Sequence, residues 1–224
     1  MKQPFSSAHV SFITGDQGGG KSVTAVGRIV DSYYKDCVLN YSIDKLHIDC
    51  IVKGFDRRSR IAKIKHNGQL KLIRIPQDYK LHSDMRIFTN FHIYGIPYVF
   101  CPSFDHIVSW LDADIIKEGR LTIDEYYIGG NARESMGKLG RKLMKHSYQY
   151  RKRQLEVDII CPIARLADWS IRTIPTERIL CSYNEKTFQV TLTINKKGIQ
   201  GSREVTYDAR QYFANYFTNE RITK

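Results

Sequence analysis

The chain has 224 residues, 35 of them Lys or Arg against 23 Asp or Glu, for a formal net charge of +12. Its 42% hydrophobic content suits a globular domain with a sizeable core, while no apolar run approaches the roughly 18 residues that cross a bilayer. The N-terminus lacks the charged and apolar regions of a secretory signal, and five widely spaced cysteines without a C-x-x-C pair exclude a disulfide framework and a zinc site.

The first element is a short apolar strand at 10–14, Val10-Ser11-Phe12-Ile13-Thr14. Gly15-Asp16-Gln17-Gly18-Gly19-Gly20-Lys21-Ser22 follows and fits the P-loop pattern G-x-x-x-x-G-K-[ST] at every specified position. Glycines let the backbone curl so that several N–H groups face one phosphate chain. Lys21 has the reach and charge for the β- and γ-phosphates, and the Ser22 hydroxyl suits Mg²⁺. Val23 opens a helix expected over about 20–34, whose N-terminus would face the phosphates. Cys37-Val38-Leu39-Asn40-Tyr41 reads as a second strand, giving a βαβ opening and a parallel sheet.

Between 44 and 80 the chain alternates apolar and basic residues. Asn67-Gly68 between alternating segments is a hairpin signal. Lys53, Arg57, Arg58, Arg60, Lys63, Lys65, Lys71 and Arg74 make this hairpin basic. It suits contact with DNA or a neighbouring subunit, or a solvated edge whose lysines discourage aggregation.

The α/β pattern resumes with a strand at 86–93, an apolar patch at 97–100 and a helix at 106–117. Leu121-Thr122-Ile123-Asp124-Glu125 is an apolar strand ending in two carboxylates. In a chain with a P-loop it reads as a Walker B segment. Asp124 would hold Mg²⁺ through water, and Glu125 would orient or deprotonate the attacking water. A long basic helix is expected at 135–153, with Lys138, Arg141, Lys142, Lys145, Arg151, Lys152 and Arg153. Strands at 157–161 and 178–183 follow, then a second hairpin across Lys196-Lys197-Gly198 and a helical, aromatic tail at 209–217. The seven histidines show no metal-ligand spacing. The clustered positive charge suggests a polyanionic partner beyond the nucleotide, most simply nucleic acid.

The P-loop, the Leu121–Glu125 segment, Arg133, the basic helix ending in Tyr150-Arg151-Lys152-Arg153, the strand at 157–161 and Asp168-Trp169-Ser170-Ile171-Arg172 fall in an order that resembles the viral branch of the HerA–FtsK ATPases. That branch includes genome-packaging ATPases of membrane-containing icosahedral viruses and Zot-like proteins of filamentous phages. Asn90 ahead of the 97–100 patch looks similar too. The resemblance covers about residues 8–185. It implies an α/β P-loop NTPase fold of RecA/FtsK type, with a central, mostly parallel sheet flanked by helices, plus basic β-hairpin insertions. The expected organisation is one ATPase domain over 1–224, with the basic insertion at 44–80 and a hairpin and helix at 186–224.

The resemblance places nucleotide contacts on residues 15–23, from Gly15 to Val23, metal contacts on Ser22 and Asp124, and catalytic roles on Lys21 and Glu125. The cofactors implied are ATP and Mg²⁺. Arginine from a neighbouring subunit would complete the site in a ring. Arg133, Arg151, Arg165 and Arg172 are candidates, Arg172 slightly favoured, although a surface salt bridge is the more ordinary role for any single one of them. The family's polar sensor, usually Gln, has no match in Cys161-Pro162-Ile163-Ala164-Arg165. The expected function is a motor that packages double-stranded DNA into a capsid, as a homo-oligomeric hexamer or pentamer. Its partners would include capsid-vertex or membrane proteins, and its place the host cytoplasm during assembly or the virion. The alternatives are a Zot-like phage-assembly ATPase, a nucleotide-binding scaffold that does not hydrolyse, and a DNA-binding module with an incidental P-loop.

Overall fold

The computed structural model describes residues 10–124, 145–147, 149–150, 152–162 and 173–216. These fall into two compact units, one of residues 28–85 and the other of residues 10–27 with 86–216.

The larger unit is built on an eight-stranded sheet. Strand β1 (Val10–Thr14) leads through the glycine loop into helix α1 (Lys21–Asp44). The chain leaves for the smaller unit, with β2 (Ile51–Asp56), β3 (Ile61–His66) and β4 (Gln69–Arg74), and returns as β5 (Arg86–Thr89) and the two-residue β6 (Val99–Phe100). Helix α2 (Phe104–Asp112) precedes β7 (Gly119–Ile123); Ser103 caps it by accepting from the His106 N–H. Strands β8 (Leu155–Ile160), β9 (Glu177–Asn184), β10 (Gln189–Lys196) and β11 (Arg203–Asp208) complete the sheet, and a 3-10 helix covers Ala209–Asn215.

The strand order is β11-β10-β9-β1-β8-β7-β5-β6. From β9 through β6 every described pairing is parallel, whereas β9-β10-β11 is an antiparallel meander. One face of the parallel part is continuously apolar. Val10 and Phe12 of β1, Leu121 and Ile123 of β7, and Val157 and Ile159 of β8 pack with Ile107 and Leu111 of α2 in a single core. The opposite face carries a buried ionic group, because Arg120 of β7 lies across from Glu156 of β8 and pairs with both Glu156 and Asp158. Burial would push the guanidinium pKa down, but the two carboxylates outweigh it and hold the pKa above its usual value.

In the smaller unit β2, β3 and β4 form an antiparallel sheet. Asn67 and Gly68 link β3 to β4 with φ of 49° and 79°, the left-handed pair that a two-residue I′ hairpin requires. Val38 and Tyr41 of α1 pack there with Cys50, Ala62, Ile64 and Ile75.

The segment 37–41 corrects the expectation of a second strand: it is helix, part of the 24 residues of α1. Cys37, Val38 and Tyr41 are buried at the spacing of one helical face, and Ser42 Oγ returns a hydrogen bond to the Val38 carbonyl at 2.8 Å. The β-type residues of this run are held helical by what they pack against. The chain therefore does not return from α1 to a strand beside β1; both neighbours of β1 come from β8 and β9. Of the long basic helix, residues 145–147 are helical, 149–150 and 152–154 are turns, and the rest lies outside the described residues. No helix among the described residues is long and apolar enough to cross a membrane.

Candidate functional site

Parallel strands aim their carboxyl ends at one edge of the sheet, which is where open α/β sheets bind ligands. The glycine loop follows β1 at that edge, Asp124 follows β7, and Asn90 follows β5.

The loop is shaped by close backbone approaches. Gly15 has φ of 151°, and a side-chain carbon there would stand 2.4 Å from the Cys181 carbonyl oxygen of β9. Gly20 has φ of 82°, with Val190 of β10 3.0 Å from where its Cβ would be. The Gly19 N–H donates to the Asp16 carbonyl at 2.8 Å, tightening the turn, and the Gly15 N–H donates to Pro162 at 3.3 Å. Gly15, Gly19, Gly20 and Val23 are buried, whereas Asp16 and Gln17 are exposed at the tip and Gly18 is half-buried.

Lys21 Nζ donates to the carbonyls of Gly15 at 3.0 Å and Asp16 at 2.7 Å. It stands in the first turn of α1, which contains no acidic residue. A cation at the positive end of a helix dipole is unfavourable by itself. The same position is favourable for an anion, because free backbone N–H groups, the dipole and the ammonium then act together.

The first turn of α1 is anchored from the antiparallel edge. Thr24 Oγ1 donates to the Gly20 carbonyl at 2.7 Å, meets Tyr207 Oη of β11 at 2.9 Å and accepts from Cys181 Sγ at 3.5 Å. The ring of Tyr212 fills the space that a Cβ on Gly27 would need, at 2.8 Å. No local sequence signal marks these contacts, since Thr24 and Tyr207 lie 183 residues apart.

Ser22 Oγ donates to Asp124 Oδ2 at 2.9 Å. Asp124 is itself held by Asn90, whose Nδ2 donates to the Asp124 carbonyl at 2.9 Å and whose Oδ1 accepts the Asp124 N–H at 2.8 Å. The structure thus brings together Gly15 to Val23 and Asp124, and adds Asn90 as the residue that fixes the carboxylate-bearing backbone. A hydroxyl and a carboxylate converging in this way are hard oxygen donors of the kind Mg²⁺ accepts. Cys161, where the family's polar sensor would be sought, is buried in the apolar core. Glu125, Arg133, Arg151, Arg165 and Arg172 lie outside the described residues. Among the described residues no cluster of His, Cys, Asp or Glu is placed to hold a metal by itself.

Strand order, glycine loop and helix together define the fold as that of the P-loop NTPases, an α/β fold with a central, mostly parallel sheet. The N-terminal domain of zonular occludens toxin from Neisseria meningitidis is similar at a TM-score of 0.52 and 15% identity, over 94% of this chain and 99% of that one. A KaiC-like protein from Pyrococcus horikoshii OT3 aligns at a TM-score of 0.43 and 12% identity, over 89% of this chain and 83% of that one. No protein-family profile and no curated protein sequence matches the chain.

Proposed function

We propose that this protein is a Mg²⁺-dependent ATPase that translocates double-stranded DNA during packaging of a viral genome. The observation that supports the catalytic part is the 2.9 Å hydrogen bond from Ser22 to Asp124, which joins the phosphate loop to a carboxylate 102 residues away at one edge of the sheet. In this reading the loop N–H groups and Lys21 hold the phosphates, and Lys21 exchanges the Gly15 and Asp16 carbonyls for phosphate oxygens. Ser22 and Asp124 would hold Mg²⁺, which would supply charge neutralisation for the phosphates. Asn90 keeps Asp124 in place, and Glu125 orients and deprotonates water. Arg172 or Arg133 of a neighbouring subunit completes the site, a contribution of about 10³–10⁵ in rate in nucleotide hydrolases.

The DNA part rests on the resemblance and on the net charge of +12. Phosphates would be contacted without sequence reading, by the basic segment 138–153 and the basic hairpin 53–74, in a homo-oligomeric ring at a capsid vertex or membrane protein, in the host cytoplasm or the virion. The experiment is ATPase rate against protein concentration, with and without duplex DNA, beside Glu125→Gln. A rate that climbs with concentration and DNA and vanishes in the variant supports the motor; tight ATP binding without turnover in any condition overturns it.

The likeness to the N-terminal domain of zonular occludens toxin favours a second reading, a Zot-like ATPase of filamentous-phage assembly. Turnover that rises with protein concentration but ignores duplex DNA would select it.

A further inference from the structure

The sheet of the smaller unit has two unlike faces. Val52, Phe55, Ala62, Ile64 and Ile73 point into its apolar cluster. Alternation then puts Ile51, Lys65 and Leu70 in one cross-strand row on the other face, Gly54, Lys63 and Leu72 in the next, and Asp56, Ile61 and Arg74 in the third, where Asp56 accepts from Ser59 and the Arg58 N–H. On this outer face Leu72 is 73% exposed, Leu70 59% and Ile51 48%. Strand β4, which carries both leucines, is an edge strand, and edges are ordinarily blunted with charge rather than furnished with leucine.

Charge surrounds these aliphatic side chains. Residues 51–74 contain Lys53, Arg57, Arg58, Arg60, Lys63, Lys65, Lys71 and Arg74 against the single acid Asp56. Arg60 is spent internally, donating to the carbonyls of Gln77 and Tyr79, and the Arg57 guanidinium lies over the Tyr34 ring. Lys63 and Lys65 are exposed beside the leucines they pair with.

We propose that this outer face docks on an anionic lipid bilayer, with Lys63, Lys65 and Arg74 against headgroup phosphates and Leu70, Leu72 and Ile51 below them. Such a surface stacks negative charge over hydrocarbon within about 5–10 Å of depth, the same order in which this face presents cations and aliphatic tips. A second copy of the same face is excluded by its like charge. Duplex DNA would satisfy the cations but set three aliphatic side chains against phosphate and water, where they gain nothing. The assignment goes beyond the ATPase reading and stands or falls separately from it.

The test is co-sedimentation of the full chain with vesicles of phosphatidylcholine alone and with phosphatidylglycerol added. The variants are Leu70→Ser with Leu72→Ser, and Lys63→Gln with Lys65→Gln, each checked for an unchanged thermal melt. Binding is expected only to the anionic vesicles, and each double variant should weaken it about tenfold or more, the leucine pair also in high salt. Leu72→Trp should shift its emission to the blue on those vesicles. No binding to either vesicle overturns the proposal, as does binding that ignores the leucines and leaves Trp emission unshifted. Tighter binding of duplex DNA through Lys63 and Lys65 would make the face a nucleic-acid surface and overturn it too.

Discussion

Asn90 grips Asp124 by the backbone, accepting from its N–H at 2.8 Å and donating to its carbonyl at 2.9 Å. One side chain at the end of β5 thereby fixes the residue that ends β7, without touching its carboxylate. Asn90→Ala leaves both backbone groups short of a partner and should cost about 1–3 kcal/mol in denaturant unfolding. Because the misplaced group is the carboxylate proposed to hold Mg²⁺, kcat for ATP should fall further than KM rises. Steady-state kinetics beside the unfolding curve separate the two effects.

Lys21→Ala should behave in the opposite way. The ammonium stands against the helix dipole but bonds the Gly15 and Asp16 carbonyls, and the two effects oppose each other, so its loss should change the stability of the unliganded protein by only about 1 kcal/mol. Stabilisation by Mg-ATP should disappear, since charge-assisted bonds to phosphate of about 1.5–3 kcal/mol are lost. Melts with and without Mg-ATP check both halves.

Gly15→Ala should destabilise with no ligand present. Its methyl would meet the Cys181 carbonyl oxygen at 2.4 Å, backbone against backbone. Either the loop or β9 must move, at a cost of about 1–3 kcal/mol. Denaturant unfolding of the unliganded variant reads this directly; an unchanged midpoint would show that the loop is less tightly backed than described.

Arg120→Ala should be among the most damaging substitutions away from the site. It removes the guanidinium that pairs with both Glu156 and Asp158, Asp158 being almost wholly buried. Breaking such a group by removing one partner costs about 3–5 kcal/mol. Adding Asp158→Asn should recover part of the loss, a coupling that a double-mutant cycle measures.

Alkaline pH should weaken the fold through its thiols. Burial pushes Cys101 from 9.0 to about 11, and burial with Asp36 nearby pushes Cys37 to about 12. In the unfolded chain both would ionise near 9.0 while the folded chain still holds their protons. Their contribution is therefore complete below about pH 9 and is lost as pH rises toward about pH 11 for Cys101 and about pH 12 for Cys37. The unfolding midpoint should fall across that window, and less steeply in Cys101→Ala. At neutral pH all five thiols, buried in the fold, should react slowly with a thiol reagent until denaturant is added.

Local chemistry made much of this molecule readable. The glycine loop, the hairpin at Asn67-Gly68 and the apolar strands at 10–14 and 121–123 follow from residue types a few positions apart. Cys, Val, Leu and Tyr at 37–41 suit a strand locally, yet the run from 28 to 44 contains no Gly or Pro to end the helix. Gly27 lies inside the helix, where its bare Cα makes room for Tyr212. Asn90 carries no local signal of its role. Its bond to Asp124 spans 34 residues and two adjacent strands, and no spacing rule reaches that far.

Strand β1 finds both its partners, β8 and β9, more than a hundred residues downstream. During synthesis the phosphate loop leaves the ribosome well before β8, so the strand that carries it lacks both partners until more than a hundred further residues have followed. Such long-range pairing is slow to form and exposes apolar edges meanwhile. Newborn chains are thus inert toward nucleotide by construction, and premature cleavage or stalling before β8 yields a fragment with a phosphate loop in its sequence and none in its structure.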